Sequence, residues 1–304
     1  MKAIKTFAEL VAQAKTKRGV VVGVPAAEDE STILTVLEAR RKNLADFILC
    51  GDRDKITAML RQNGGQPGDF DIQSAPNAEG AAAQIVELAN RKRVHVILKG
   101  FLPTASLMKP ILDKEKGLRT GNLLSDIMIV ENPLANYPGL LGVTDGGLNI
   151  LPDLSQKKQI VENAVAAFHR LGYTEPLVGV LAAIETVKEA MPATVDAAAL
   201  TRMNADGAIR GCKVYGPLAL DIAVSPEAAR HKGVENAVAG IAQVLVVPNI
   251  EAGNIFGKSF TYYLHIPVSH VIMGARIPVL IPSRNESDRD KFYSVALGVT
   301  IAQV

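Results

Sequence analysis

Short β-branched runs alternate with longer amphipathic segments along most of the chain, and that alternation admits few folds. Val20-Val21-Val22-Gly23-Val24-Pro25 has no polar face, as expected of a strand buried on both sides. It lies between a helical pattern at residues 4–17 (Ile4, Phe7, Leu10, Val11, Ala14) and another at 28–41 (Ile33, Leu34, Leu37). The pattern repeats, with strands expected at 46–50, 69–74, 94–98 and 123–130 and helices at 52–62, 78–91 and 104–114. Strands separated by helices of about 10–15 residues indicate βαβ units and mostly parallel sheets.

The pattern loosens at 132–147, where Pro133, Pro138, Gly139, Gly146 and Gly147 cluster. Beyond it, helices are expected at 155–171, 193–203, 253–263 and 287–303, and strands at 177–183, 207–215 and 244–247. A length of 304 residues is long for a single core. The expectation is therefore two α/β domains, the first of residues 1–136 and 280–304 and the second of 137–279. The final helix is expected to return to the first domain.

Lys plus Arg (33) nearly balance Asp plus Glu (31), leaving a formal charge of +2. Such a balance supplies no basic field for a nucleic-acid backbone. The two cysteines, Cys50 and Cys212, are far apart and fit neither a zinc site nor a disulfide framework. Cys50 follows Phe47-Ile48-Leu49 and reads as a buried thiol. Glu9 and Lys15 interrupt the N-terminal apolar residues, which argues against a signal peptide. No apolar stretch approaches the roughly 20 residues of a membrane span. The expected setting is the cytoplasm.

In open α/β sheets, ligands gather beyond the carboxyl ends of strands. Four segments meet that description. In Lys99-Gly100-Phe101-Leu102-Pro103-Thr104, Gly100 permits close backbone approach and Thr104 can cap a helix that carries Lys109. In Tyr215-Gly216-Pro217-Leu218-Ala219-Leu220-Asp221, Gly-Pro implies a turn after the strand, and Asp221 falls in an apolar run. In the segment from Val247 to Lys258, Asn249 and Asn254 offer amides and Lys258 follows Asn254 by one helical turn. In Pro282-Ser283-Arg284-Asn285-Glu286-Ser287-Asp288-Arg289-Asp290, a hydroxyl, a guanidinium and a carboxylate follow the apolar run 277–281. Each segment also fits ordinary turn and cap chemistry. Ser287 is a good N-cap, and Asp288 and Asp290 complement the positive end of a helix.

Taken together, these segments resemble the phosphate acetyltransferase and phosphate butyryltransferase family. The resemblance runs from about Lys99 to the end of the chain. It is carried by GPLALDIAVS (216–225), PNIEAGNIFGK (248–258) and the Ser-Arg…Asp element at 283–290, with AAIETV, MPATVDAA, HKGV, GLRTGNLLS and VTDGGLNILPDL in support. GPLALDIAVS and MPATVDAA are closer in wording to the butyryl branch. The resemblance implies an isocitrate/isopropylmalate dehydrogenase-like fold, with two α/β domains, mostly parallel sheets and an interdomain cleft. It implies a homodimer or larger homo-oligomer that exchanges an acyl group between CoA and phosphate. Acyl-CoA, phosphate and acyl phosphate would be its small-molecule partners, with no nucleic acid or membrane. CoA would enter as a substrate, with no metal and no other cofactor.

By motif match, Asp290 is the general base for the CoA thiol, Arg284 binds the phosphoryl group and Ser283 stabilises the reacting carbonyl. Lys109 stands where acetyl-branch relatives carry an anion-binding arginine, and it lacks arginine's bidentate fork. Gly100, Thr104, Asn249, Asn254 and Lys258 complete the candidate substrate-binding set. Asp126 and Gln243 depart from the family pattern, where a histidine and an acidic residue are expected.

This chemistry suits the residue types. A free thiol has a pKa of about 8.5, so a positioned base is needed to supply thiolate at neutral pH. The expected mechanism is direct thiolate attack in a ternary complex. An acetyl-specific enzyme and a non-catalytic CoA-binding module are the alternative readings. A metal-dependent decarboxylating dehydrogenase would need an acidic cluster, and only residues 286–290 offer one.

Overall fold

The computed structural model describes residues 2–134, 137–283 and 286–304. In chain order the elements begin α1 (Phe7–Thr16), β1 (Val21–Pro25), α2 (Glu30–Arg41), β2 (Asp46–Gly51), α3 (Arg53–Gln62), β3 (Asp71–Ser74), α4 (Ala78–Asn90), β4 (Val96–Leu98) and α5 (Thr104–Ile111). They continue with β5 (Ser125–Glu131), β6 (Leu140–Thr144), α6 (Leu154–Arg170), β7 (Leu177–Leu181), α7 (Pro192–Ala205), β8 (Lys213–Leu218), α8 (Leu220–Val224) and α9 (Pro226–His231). The last are β9 (Val244–Val246), α10 (Ile250–Tyr262), β10 (Val268–Met273), β11 (Val279–Leu280) and α11 (Asp288–Ile301). The architecture is mixed α/β with mostly parallel strand pairing, as the alternation requires.

Two compact units emerge, one of Phe7–Asn122 with Ser269–Val304, the other of residues up to Thr6 with Leu123–Val268. The divisions at 122/123 and 268/269 differ from the 136/137 and 279/280 positions expected from proline and glycine density. Strand pairing explains the difference. β5 pairs antiparallel with β6, which keeps 125–131 in the second unit, and β10 pairs antiparallel with β11, which keeps 269–273 in the first.

In the first unit the strand order is β3-β2-β1-β4-β11-β10, parallel except for the last pair. Val22, Val24, Ile33, Leu49, Ile56, Leu60, Ile85 and Ile97 are fully buried around this sheet. α11 packs against α1 and α2, so the last helix returns to the first strands as expected. Helices start on short polar caps just after strands. Asp29 accepts from the Thr32 amide after β1, and Asp52 accepts from the Lys55 amide after β2.

In the second unit the order is β5-β6-β9-β7-β8, with β6, β9, β7 and β8 parallel. Its core includes Met128, Leu141, Val143, Leu218, Ile222, Leu245 and Phe260. Three local expectations change here. The stretch read as irregular contains β6, whose Leu140 and Leu141 are buried behind the proline-glycine cluster. The strand expected at 207–215 is instead β8 at Lys213–Leu218, and Gly216-Pro217 continues it rather than turning it. β8 is an edge strand and its register against β7 shifts between Tyr215 and Leu218, the two circumstances in which a sheet tolerates proline. Asp221, expected within an apolar run, is exposed on α8. Among the described residues no helix is long and apolar enough to cross a membrane.

The loop after β6 is pressed against α10. A Cβ on Gly253 would lie 2.7 Å from the Cα of Gly146 and 2.9 Å from the Asp145 carbonyl oxygen. These neighbours are backbone and cannot swing aside. Gly253→Ala is expected to destabilise the protein by about 1–3 kcal/mol, read as a lower urea midpoint at unchanged slope. An unchanged midpoint would show that the contact is slack.

Candidate active site

The first unit's topology fixes where a ligand belongs. The chain steps from β1 to β2 and β3 on one side, then returns to place β4 on the other side of β1. The carboxyl ends of β1 and β4 therefore flank a topological switch point. Register brings β11 to the same level, with Gly23 opposite Ile97 and Leu98 opposite Leu280. Just beyond, the Gly100 amide donates to the Pro25 carbonyl at 3.2 Å and the Phe101 amide to the Ala26 carbonyl at 2.7 Å. A Cβ on Gly100 would sit 2.2 Å from the Ala26 oxygen and 2.4 Å from that of Pro25, so only glycine fits.

A cavity of about 270 Å³ opens at these strand ends, lined by Ser31, Thr32, Lys99, Gly100, Ser283 and Lys291 among others. Gly100 and Ser283, two of the residues singled out by sequence, thus share it. The Ser283 amide donates to Glu286 Oε1 at 2.8 Å, and the same oxygen lies 3.8 Å from His270 Nε2. Arg284 lies outside the described residues.

Asp290 is 4% exposed, in the first turn of α11. It forms a reciprocal capping box with Ser287. The Asp290 amide donates to Ser287 Oγ at 3.2 Å, the Ser287 hydroxyl donates to Asp290 Oδ2 at 2.6 Å, and the Ser287 amide reaches the same oxygen at 3.3 Å. A buried carboxylate needs such donors, and the helix N-terminus adds its own favourable field. One residue on, the Lys291 ammonium donates to Ser31 Oγ, whose hydroxyl donates to Asp288 Oδ1 at 2.6 Å. Ser31, Lys99 and Lys291 are absent from the residues that sequence motifs single out as a site. Lys99 was visible as a strand-end lysine, whereas the burial of Lys291 appears only once α11 packs on α2.

Thr104 does not cap α5. The cap position is Pro103, without a side-chain cap, and Thr104 is the first helical residue, exposed to solvent. The Pro103 backbone, extended at φ −58° and ψ 142°, places the helix start one residue earlier than a threonine cap would. Lys109 is exposed in the last turn of the same helix.

In the second unit, Asn249 caps α10 by accepting from the Ala252 amide at 3.0 Å. Asn254 donates to the Gly146 carbonyl at 3.2 Å, and Lys258 is exposed one turn further on. Asp145, outside the sequence-derived set, organises the loop that Asn254 touches. Its buried carboxylate accepts from the amides of Gly147 and Leu148, both at 2.9 Å, and from the Asn149 side chain at 2.6 Å. Burial, and then the nearby Asp126 charge, raise its pKa above the usual carboxylate value. The Asp-Gly-Gly run in VTDGGLN is the sequence signal for this anchored loop. Among the described residues, no group of three or more His, Cys, Asp and Glu side chains is placed to hold a metal ion.

Comparison with known proteins places this geometry in a family. The family model described as Phosphate acetyl/butaryl transferase matches residues 80–299. The phosphate butyryltransferase of Clostridium acetobutylicum is 39% identical over 98% of this chain and 99% of its own length. The phosphate acetyltransferase of Thermotoga maritima is 36% identical over 97% of this chain and 100% of its own. A branched-chain phosphotransacylase from Enterococcus faecalis superposes with a TM-score of 0.82 at 29% identity, covering 93% of this chain and 98% of that one. The chain belongs to the phosphate acetyl/butyryl transferase family and is a phosphate acyltransferase.

Both thiols stand apart from this chemistry. Burial, reinforced by Glu28, raises the Cys50 pKa to about 11, and burial with Glu175 and Glu162 raises that of Cys212 to about 11. Thiolate is therefore scarce at both positions near neutral pH. The double variant Cys50→Ala/Cys212→Ala is expected to retain acyl transfer within a few-fold of wild type. Abolished transfer in a protein with unchanged circular dichroism would point to a thiol intermediate.

Proposed function

We propose that this enzyme moves a short acyl group, butyryl by preference, between CoA and inorganic phosphate by direct thiolate attack in a ternary complex. The exchange itself is acyl-CoA + phosphate = acyl phosphate + CoA. The butyryl preference is supported by relatives named phosphate butyryltransferase or probable phosphate butyryltransferase at 35–39% identity, two of them at 39%, beside acetyltransferases at 36%.

In the direction of acyl-CoA formation, Asp290 takes the proton of the CoA thiol. The thiolate forms a C–S bond at the acyl carbon, and the carbonyl electron pair moves onto oxygen. Ser283 stabilises that oxyanion; preorganised donors of this kind contribute about 3–4 kcal/mol each. Collapse breaks the C–O bond to phosphate, and Arg284 takes the phosphate charge through a planar fork suited to two oxygens. Asp290 then releases its proton to the departing phosphate or to solvent. The reverse reaction runs the same steps backwards. Binding two substrates in one orientation removes much of the entropic barrier. Lys109, Thr104, Gly100, Asn249, Asn254 and Lys258 are assigned to substrate contact. The scheme gives no step to a metal or redox cofactor, and it describes a cytoplasmic homodimer or larger homo-oligomer.

The observation that supports this reading most is the buried carboxylate of Asp290, held in the capping box at the start of the helix that follows β11. Thiol release should be measured with acetyl-, propionyl- and butyryl-CoA, with and without phosphate. Release should require phosphate and rise in kcat/KM with chain length, by about tenfold or more per methylene at best. Phosphate-independent release would contradict acyl transfer to phosphate. Fastest turnover of acetyl-CoA would contradict the butyryl preference.

A further inference from the structure

The cavity at the β1/β4 switch point is lined by more ammonium groups than carboxylates, and the reaction scheme gives those ammonium groups no role. Its lining includes two ammonium groups, Lys99 and Lys291, and one carboxylate, Asp29. Asp29 is committed to the start of α2, where Oδ2 accepts from the Thr32 amide at 2.9 Å and the Thr32 hydroxyl at 2.7 Å.

Lys291 is 8% exposed, and its ammonium donates to the Ser31 hydroxyl. The carboxylate of Asp288 is reached only through that hydroxyl. Lys291 has no ion pair with a carboxylate among the described residues. An ammonium withdrawn from water is costly unless an anion answers it, and a neutral hydroxyl answers it weakly. Lys99 reaches the cavity from the end of β4, with Nζ donating to the carbonyls of Gly100 at 3.4 Å and Leu102 at 3.2 Å. The two ammonium groups come from different elements and meet at the place where an α/β sheet receives its ligand. Ser283, assigned above to the reacting carbonyl, lines the same cavity.

We propose that Lys99 and Lys291 hold a phosphate group of a substrate in this cavity. That group is either inorganic phosphate, with its acyl phosphate counterpart, or a phosphate of CoA. The proposal rests on the acyl-CoA/phosphate reading and adds two binding residues to it. Their role is to place negative charge beside Ser283, not to exchange protons with the reacting atoms.

The test uses the full chain with Lys99→Met and Lys291→Met, each beside its arginine counterpart. KM is measured separately for phosphate, for butyryl-CoA and for butyryl-pantetheine, which lacks the phosphates of CoA. A rise of about tenfold or more in the phosphate KM, relieved by arginine, supports the proposal and identifies inorganic phosphate. A comparable rise for butyryl-CoA that is absent for butyryl-pantetheine supports it and identifies CoA. Unchanged KM values in folded variants overturn it, as does a fall in kcat alone. If Lys291→Met does not fold, Lys99→Met decides by the same criteria. Should the wild type show no phosphate-dependent thiol release, the acyl-transfer reading fails separately. Equilibrium dialysis with radiolabelled phosphate and with CoA then decides the subsite: weaker binding by the variants supports it, and equal or absent binding overturns it.

Discussion

The site turns on the reciprocal pairing of Ser287 and Asp290. A carboxylate that is 4% exposed is stable at this position because a hydroxyl at 2.6 Å and a backbone amide at 3.3 Å answer it at the positive end of α11. The same bonds start the helix. Helix initiation and placement of the proposed base are therefore one structural event. α11 in turn packs on α1 and α2, so the position of this carboxylate is tied to the first strands of the unit.

A second constraint works at the cavity beyond the ends of β1 and β4. Gly100 lets the end of β4 lie against the Pro25 and Ala26 carbonyls, and any larger residue would force the two strand ends apart. Lys99 precedes this contact and Phe101 follows it, so the approach also sets where the Lys99 ammonium enters the cavity. Switch-point topology, strand register and one glycine thus bring residues from 29 to 291 to a common lining.

Much of this was legible in the sequence because buried parallel strands leave unbroken β-branched runs, as at Val20-Val21-Val22. The Ser-Arg…Asp element and its capping potential were equally plain, since caps are local signals. What escaped was tertiary. β6 was hidden because its short apolar run Leu140–Thr144 sits between proline and glycine clusters that read as a loop. β8 was displaced because proline argues against a central strand but is tolerated in an edge strand, where Pro217 lies. Thr104 yielded its cap to Pro103. Lys291 gave no local sign of burial, because a lysine beside two aspartates reads as a solvated first turn until another helix covers it.

Replacing Asp290 with asparagine tests the account most directly, because the amide oxygen can still accept from Ser287 while the side chain no longer takes a proton. The account predicts a fall in kcat of about 10²–10⁴-fold, with substrate KM values and the unfolding midpoint close to wild type. Near-normal turnover in a folded Asp290→Asn protein would contradict it.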